Sequence, residues 1–231
     1  MQNAKLKDIS AHSENRPAES EERAIEHVLE LMKKYNVGFH VAHLSTAKGL
    51  EVVRKAKRKN LPMTCEVAPH HLFLTVEDYA SLGTFGKMNP PLRSHDDQQA
   101  LWEGIQDGTV DCISTDHAPH TLEEKNTDAA LSAPSGVPGV ETMLPLLLTV
   151  AAGSWPHPHA KLKMKNVQLK IEDIERLCFT NPNRIFNLGK DAHADTIKVD
   201  LDAEWVIHGE KLHSKCGWTP FEGWLVKGKI L

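Results

Sequence analysis

The stretch STDHAPH at residues 114–120 follows a short apolar run, VDCI, at residues 110–113. Asp116 lies between this apolar run and two histidines: His117 is the next residue, and His120 comes four residues after Asp116. Carboxylates and imidazoles at a strand end bind metal ions and carry protons. A lone aspartate after a strand more often forms a turn or caps a helix, but HAPH does not begin a helix. The stretch predicts a functional strand end in which Asp116 binds a metal and transfers a proton.

Two earlier segments end in the same way. FHVAHLS at residues 39–45 leads to His43, and TCEVAPHH at residues 64–71 leads to two adjacent histidines. Imidazole and carboxylate without cysteine suit zinc or another divalent first-row metal, so His43 is a second candidate ligand. The alternative is a hydrogen-bonded histidine in the core. This interpretation fits His40 better than His43, because side chains alternate along a strand and the two histidines would therefore lie on opposite faces. Three such ends predict a site at one rim of a β/α barrel.

Helical and strand patterns alternate over the first half of the chain. Apolar residues recur at helical spacing after Glu21, Thr46 begins a second helix as its cap, and Ser94 precedes a third. This order predicts parallel βαβ units. The polar stretch 121–136 is long enough for a lid or binding loop. Residues 171–188 predict a helix that is broken at Asn181-Pro182. The tail of the chain contains short runs of residues typical of β-strands.

Composition limits the classes of partner. The 231 residues carry a net charge of −4, with 40% apolar and 25% charged residues. This charge predicts neither a nucleic-acid nor a membrane partner, and the polar start of the chain predicts a cytoplasmic protein. Four cysteines without a CxxC pair indicate neither a disulfide framework nor a thiolate zinc site. The HxH at residues 157–159 is interrupted by prolines and is interpreted as part of a linker.

GKMNPPLR at residues 86–93 predicts a stiff loop that presents Asn89 and Arg93. An amide and a guanidinium suit a small anionic substrate, although a solvated turn is an equally good interpretation of Arg93.

Several longer motifs together resemble dihydroorotase of the amidohydrolase superfamily. They are HVAHLST (40–46), TCEVAPHHLFLT (64–75), GKMNPPLR (86–93), DGTVDCISTDHAPH (107–120), EEK (123–125), GVPGVET (136–142) and TPFEGW (219–224). Allantoinases and hydantoinases are related, but they carry CPHY- or CPQY-like motifs where this chain has APHH. The motifs therefore favour dihydroorotase.

The resemblance implies roles for these residues. His43 would be a metal ligand from the sixth barrel strand, and Asp116 would be the eighth-strand ligand and the general base. A complete enzyme of this kind would hold two Zn²⁺ ions, whose bridging hydroxide attacks the cyclic amide of dihydroorotate. The reaction interconverts dihydroorotate and N-carbamoyl-L-aspartate in pyrimidine biosynthesis. Substrate contacts would fall on Asn89, His120 and the backbone around Ser135 and Gly136.

Several family features are not visible in the sequence. The first-strand HxH pair, the fourth-strand bridging ligand, the fifth-strand histidine and the substrate-binding arginine are missing, and His12 lies away from the fifth-strand position. The chain is therefore expected to form the last part of a TIM-type β/α barrel over residues 1–189, with a small β-sandwich segment over residues 190–231. Its metal ligand set would be incomplete.

An open half-barrel would expose strand edges. We therefore expect a homodimer or a transcarbamoylase partner. The alternatives to an enzyme acting on dihydroorotate are a non-catalytic fragment or scaffold subunit and an allantoinase- or hydantoinase-type hydrolase.

Overall fold

The computed structural model describes residues 8–159, 164, 166–191 and 196–231; residues 1–7 and part of the linker lie outside the described residues. Three strands form a parallel sheet in the order β1-β2-β3, and two form an antiparallel pair. The predicted parallel βαβ units are therefore confirmed. The strands are β1 (Phe39–Val41), β2 (Met63–Val67), β3 (Cys112–Ile113), β4 (Val199–Val206) and β5 (Leu225–Ile230).

Ten α-helices lie among the described residues. They are α1 (Ser10–Glu14), α2 (Ala18–Tyr35), α3 (Ala47–Arg58), α4 (Pro69–Phe73), α5 (Tyr79–Leu82), α6 (His95–Gln106), α7 (Leu122–Lys125), α8 (Met143–Ala151), α9 (Ile171–Glu175) and α10 (Asn181–Ile185). The predicted cap is confirmed, because Thr46 Oγ1 accepts from the N–H of Gly49, and Ser94, which precedes the next predicted helix, caps it through a bond from the N–H of Asp97 to Ser94 Oγ. Such side-chain bonds satisfy N–H groups that have no partner within the helix.

The central strand β2 sets the register of the sheet. Phe39 pairs with Met63 on one side, and Val67 pairs with Ile113 on the other. Because all three strands are parallel, their carboxyl ends meet at one edge. The expectation of a strand over residues 39–45 is wrong beyond Val41, since His43 adopts a left-handed backbone with φ 37° that takes the chain out of the sheet.

The core lies between the parallel sheet and its helices. Leu50 and Val53 on α3, Leu101 and Trp102 on α6, and Cys65 on β2 are fully buried. Burial of such side chains stabilises the fold by roughly 1.5–3 kcal/mol each. The apolar stripes of α3 and α6 thereby fix where the ends of β1 and β2 lie.

The predicted helix break at Asn181-Pro182 is wrong. A π-helical turn over Arg176–Thr180 connects α9 directly to α10, which contains both residues. Proline is accommodated because it lies in the first turn of α10, where its missing N–H is not needed. Asn181 Nδ2 also donates to the main-chain oxygen of Asp111 at 2.7 Å. The helix is thereby joined to the segment that leads into β3.

The tail forms the β4–β5 hairpin, which packs on α8. The N–H of Lys227 donates to Thr149 Oγ1 at 2.8 Å. Gly228 has φ 83°, and a Cβ there would lie 2.5 Å from a methyl carbon of Leu148. The expected short β runs are thus present as a two-stranded sheet, whereas a separate β-sandwich segment over residues 190–231 stays a prediction.

Candidate active site

His43 and Asp116 occupy equivalent places in the sheet. His43 follows β1 with φ 37°, and Asp116 follows β3 with φ 46°. Both are half-buried. A left-handed backbone costs a residue with a Cβ roughly 1–2 kcal/mol. The two candidate ligands therefore share a strained turn at the same edge of the sheet.

Few of the described residues other than glycine adopt this left-handed backbone conformation. The other residues with positive φ, glycine apart, are all asparagines: Asn36, Asn60, Asn166 and Asn187. Asparagine, aspartate and histidine all enter the left-handed region more often than other residues with a Cβ, and residues held in strained backbone conformations cluster at functional sites. The conformation therefore distinguishes His43 and Asp116 from other polar residues of the chain.

A network that was not predicted from the sequence holds the turn after His43. The carboxylate of Glu21 accepts hydrogen bonds from main-chain and hydroxyl groups of Ser45 and Thr46. Arg93 Nε donates to Ser45 Oγ at 3.0 Å, and its Nη1 donates to the main-chain oxygen of Arg16 at 2.5 Å. Arg93 therefore belongs to this hydrogen-bond network. The alternative interpretation, in which Arg93 lies in a solvated turn, did not predict this role.

A cleft of about 560 Å³ lies beside β1. His43 and Asn89 both line it, together with Arg16, Arg93 and several apolar residues. Glu21 is the acidic residue in this lining, and its carboxylate is engaged by Ser45 and Thr46. The cleft therefore combines two predicted site residues with positive charge that suits an anionic ligand.

The remaining site residues lie together on the loops after β3. His120 Nε2 is 3.2 Å from the main-chain oxygen of Ser135. Asp116, His120, Ser135 and Gly136 do not line the cleft beside His43. The structure thus places the predicted residues in two groups, His43 with Asn89 and the other four around the loop 115–136.

Main-chain contacts connect the two groups. The N–H of Gly136 donates to the main-chain oxygen of Lys87 at 3.0 Å, two residues before Asn89. Gly136 has φ 140°, and a Cβ there would lie 2.6 Å from the oxygen of Ala118. His117 Nδ1 accepts from the N–H of Gly139 at 3.0 Å. Glycine at 136 thus lets residue 136 pack closely on Ala118, while its N–H connects this loop to Lys87.

His70 and His71 are buried on α4, directly after β2. Burial, with a smaller contribution from the nearby His43, lowers the pKa of both imidazoles, to about 3 for His71. His71 Nε2 is 3.1 Å from the oxygen of Pro90, whereas His70 Nε2 has no hydrogen-bond partner among the described residues. Both rings are therefore neutral at pH 7.

The other candidate histidines are engaged elsewhere. His12 Nε2 is 2.8 Å from the oxygen of Met88, and His40 Nδ1 is 2.8 Å from Thr64 Oγ1. His157, in the HxH sequence, has its Nε2 2.8 Å from Asp78 Oδ1. The part of the chain that the structure describes contains no group of three or more His, Cys, Asp or Glu that could hold a metal ion.

The comparisons with known proteins confirm the predicted resemblance. The chain is 42% identical over 222 residues to a dihydroorotase of Halobacterium salinarum, a match that covers 94% of this chain and 48% of that protein. It is 39% identical over 212 residues to the multifunctional protein CAD of Squalus acanthias, covering 91% of this chain and 9% of CAD. The chain thus spans about half the length of the dihydroorotase that it matches. No family model matches it.

The fold is similar to that of solved hydrolases. An L-hydantoinase (dihydropyrimidinase) from Arthrobacter aurescens superposes with a TM-score of 0.86 at 27% identity, over 97% of this chain and 49% of that one. Among the described residues, every helix is too short or too polar to cross a membrane.

Proposed function

We propose that this chain, a relative of the dihydroorotases over about half of their length, provides part of the active site of a metal-dependent cyclic amidohydrolase. The observation that carries the proposal is the shared left-handed turn of His43 and Asp116 at one edge of the parallel sheet. A metal ligand and a proton acceptor are needed there for hydrolysis of a cyclic amide.

The proposal extends to the fold. We interpret β1, β2 and β3 as the sixth to eighth strands of a TIM-type barrel within residues 1–189, with residues 190–231 as a small β-sandwich segment. The likeness to L-hydantoinase over 49% of its chain supports this interpretation. The open edge of β1 is where further strands would continue the sheet. A homodimer or a transcarbamoylase partner, and a cytoplasmic location, remain predictions.

The residues present suit zinc in kind but not in number. An imidazole and a carboxylate are donors that Zn²⁺ accepts, yet a zinc site takes three or four protein ligands. His43 and Asp116 would provide two, so a complete site needs further ligands besides them. A bound divalent cation makes hydroxide available near neutral pH because it lowers the pKa of water. The proposed complete site contains two such ions.

The remaining chemistry belongs to the side chains of this chain. Asp116 accepts the proton of the attacking water and delivers it to the leaving ring nitrogen. Asn89 and His120 bind the ring and its carboxylate. The N–H and C=O groups of Gly136 already bond to protein atoms, and the C=O of Ser135 lies 3.2 Å from His120 Nε2, so we assign the ring amide to the N–H of Ser135. The substrate is dihydroorotate, and N-carbamoyl-L-aspartate is the product or, in reverse, the reactant.

Two other functions have specific support. The likeness to an L-hydantoinase favours a related hydrolase that acts on a hydantoin ring. The shortage of metal donors among the described residues favours a non-catalytic subunit. The match to part of CAD supports the idea that related sequences work within larger polypeptides.

The test is to measure zinc per chain by mass spectrometry, with turnover of dihydroorotate, hydantoin and allantoin on the same sample. His43→Ala and Asp116→Asn should each lower both bound zinc and turnover at least tenfold. His27→Ala and Asp128→Asn, two exposed positions, are the matched controls and should change neither. Bound zinc that is insensitive to His43 and Asp116 would contradict the proposal. Turnover of hydantoin alone would select the second function.

A further inference from the structure

Lys125 is the last residue of α7, and its side chain is completely buried. Its Nζ donates to three main-chain oxygens: that of Lys87 at 2.9 Å, that of Pro134 at 3.0 Å and that of Gly136 at 3.1 Å. An ammonium group has three donors. All three are used to join the loop 86–93 to the loop 126–136.

No acidic side chain of the described residues forms an ion pair with Lys125. Burial and, to a smaller extent, the neighbouring charge of Lys87 lower its pKa to about 8. A buried cation without a counter-ion is costly unless its hydrogen bonds are well made. The three carbonyl oxygens are therefore what makes this position tolerable for a lysine.

Lys87 holds the same loop from the opposite side. Its Nζ donates to the main-chain oxygens of Leu131 at 2.5 Å and Ala133 at 2.6 Å. Two lysines thus bind four carbonyl groups between residues 131 and 136. This arrangement replaces the regular secondary structure that the loop lacks around Ser135.

Trp218 links the same cation to His120. Lys125 Nζ lies 5.6 Å from the centre of a Trp218 ring, within the range of a cation–π contact. Trp218 Nε1 donates to the main-chain oxygen of His120 at 2.7 Å. The segment that carries His120 is thereby fixed against the same ammonium group.

We infer that Lys125 is a positioning residue that assembles the substrate-binding loops. It acts through the main chain next to Asn89, on both sides of Ser135 and, by way of Trp218, at His120. This inference rests on the proposed function for its meaning in catalysis. The assembly of the loops can be tested without any activity.

The test compares Lys125→Met and Lys125→Arg with the wild-type chain by hydrogen exchange. Lys125→Met removes the three donors at similar volume, so amides at 86–89 and 126–137 should exchange at least tenfold faster. Amides of α3 and α6 should keep the wild-type rate. Lys125→Arg should restore most of the protection, because a guanidinium offers several donors. Lys33→Met, at an exposed position of α2, is the matched control.

Kinetic measurements then distinguish a role of Lys125 in positioning the loops from a role in the reaction itself. With dihydroorotate, Lys125→Met should raise KM at least tenfold while kcat stays within threefold, since Asp116 is not touched. A wild-type chain without turnover would count against the proposed function alone, because the exchange measurement still decides the role of Lys125. Wild-type exchange rates at 126–137 in Lys125→Met would overturn the inference.

Lys125→Met could also destabilise the whole chain. In that case Lys125→Gln is the deciding variant, since its shorter polar side chain cannot reach all three carbonyl oxygens. Faster exchange confined to residues 86–89 and 126–137 in a folded Lys125→Gln variant would support the inference. Wild-type exchange rates there would overturn it.

Discussion

Both carboxylate oxygens of Glu21 lie 3.2 Å from the main-chain nitrogen of Ser45, and one lies 2.6 Å from its hydroxyl oxygen. Ser45 comes two residues after His43. The same carboxylate accepts from Thr46 N at 2.9 Å and Thr46 Oγ1 at 2.6 Å. A charged group on α2 thus satisfies the main chain that leaves the strained turn at His43.

Substitution of Glu21 should therefore loosen this turn. Glu21→Gln keeps the shape of the side chain but loses the charge, and hydrogen bonds to charged groups contribute about 1.5–3 kcal/mol. We expect the free energy of unfolding to fall by about 2 kcal/mol in urea titrations. Glu26→Gln, an exposed change on the same helix, should have almost no effect. Equal stability of the two variants would show that the carboxylate does not hold the turn.

Gly136 should not tolerate a side chain. Gly136→Ala combines a backbone of φ 140° with a Cβ only 2.6 Å from the oxygen of Ala118. We expect a loss of more than 2 kcal/mol in the free energy of unfolding. The control is Gly108→Ala, where φ is 77° but no atom lies within 4 Å, and the expected loss there is about 1 kcal/mol. A Gly136→Ala variant no less stable than Gly108→Ala would contradict the packing.

The buried thiols predict a loss of stability in alkaline solution. Burial raises the pKa of Cys65 to about 12 from an ordinary value of 9.0. Between these two values the unfolded chain releases the thiol proton and the folded chain keeps it, so stability falls as the pH rises above 9. At pH 10 the effect is roughly 1 kcal/mol for each such thiol.

Urea unfolding at pH 8 and pH 10 can isolate this effect for Cys65. The stability lost between the two pH values should be about 1 kcal/mol smaller in Cys65→Ala than in the wild type. Val67→Ala creates a cavity on the same strand without a titratable group and should lose the wild-type amount. An identical pH dependence of Cys65→Ala and wild type would refute the prediction.

His157 and Asp78 form a buried pair with 2.8 Å between Nε2 and Oδ1. A buried hydrogen bond to a charged group contributes about 1.5–3 kcal/mol. His157→Gln should therefore destabilise the chain by about 2 kcal/mol and leave bound zinc unchanged. His159→Gln, at the exposed end of the HxH, should be neutral in both measurements. Loss of bound zinc in a folded His157→Gln variant would instead support the HxH sequence as a metal-binding pair.

The elements that the sequence predicted best are those with local signals. Thr46 and Ser94 cap their helices through bonds that span three residues, and the apolar run of β2 is buried on alternate residues. Such features depend on neighbours along the chain. The positions of His43 and Asp116 at strand ends were predictable for the same reason.

Other features depend on contacts between distant parts of the sequence. Glu21 acts on residues 24 and 25 positions away, and Lys125 binds an oxygen 38 positions away. A charged residue on a short polar stretch is normally exposed, so sequence reasoning gave Lys125 no role although it lies in the EEK motif. Residues whose importance comes from binding the main chain carry no signal of their own.

The close contact between Gly228 and Leu148 makes the β4–β5 hairpin and α8 move as one unit. Because the side chain of Leu148 fills the space that a Cβ at residue 228 would need, a tilt of the helix has to be followed by β5. The N–H of Lys227 also bonds to Thr149 of the same helix. The last strand of the chain therefore takes its position from α8, although Thr149 and Lys227 lie 78 positions apart in the sequence.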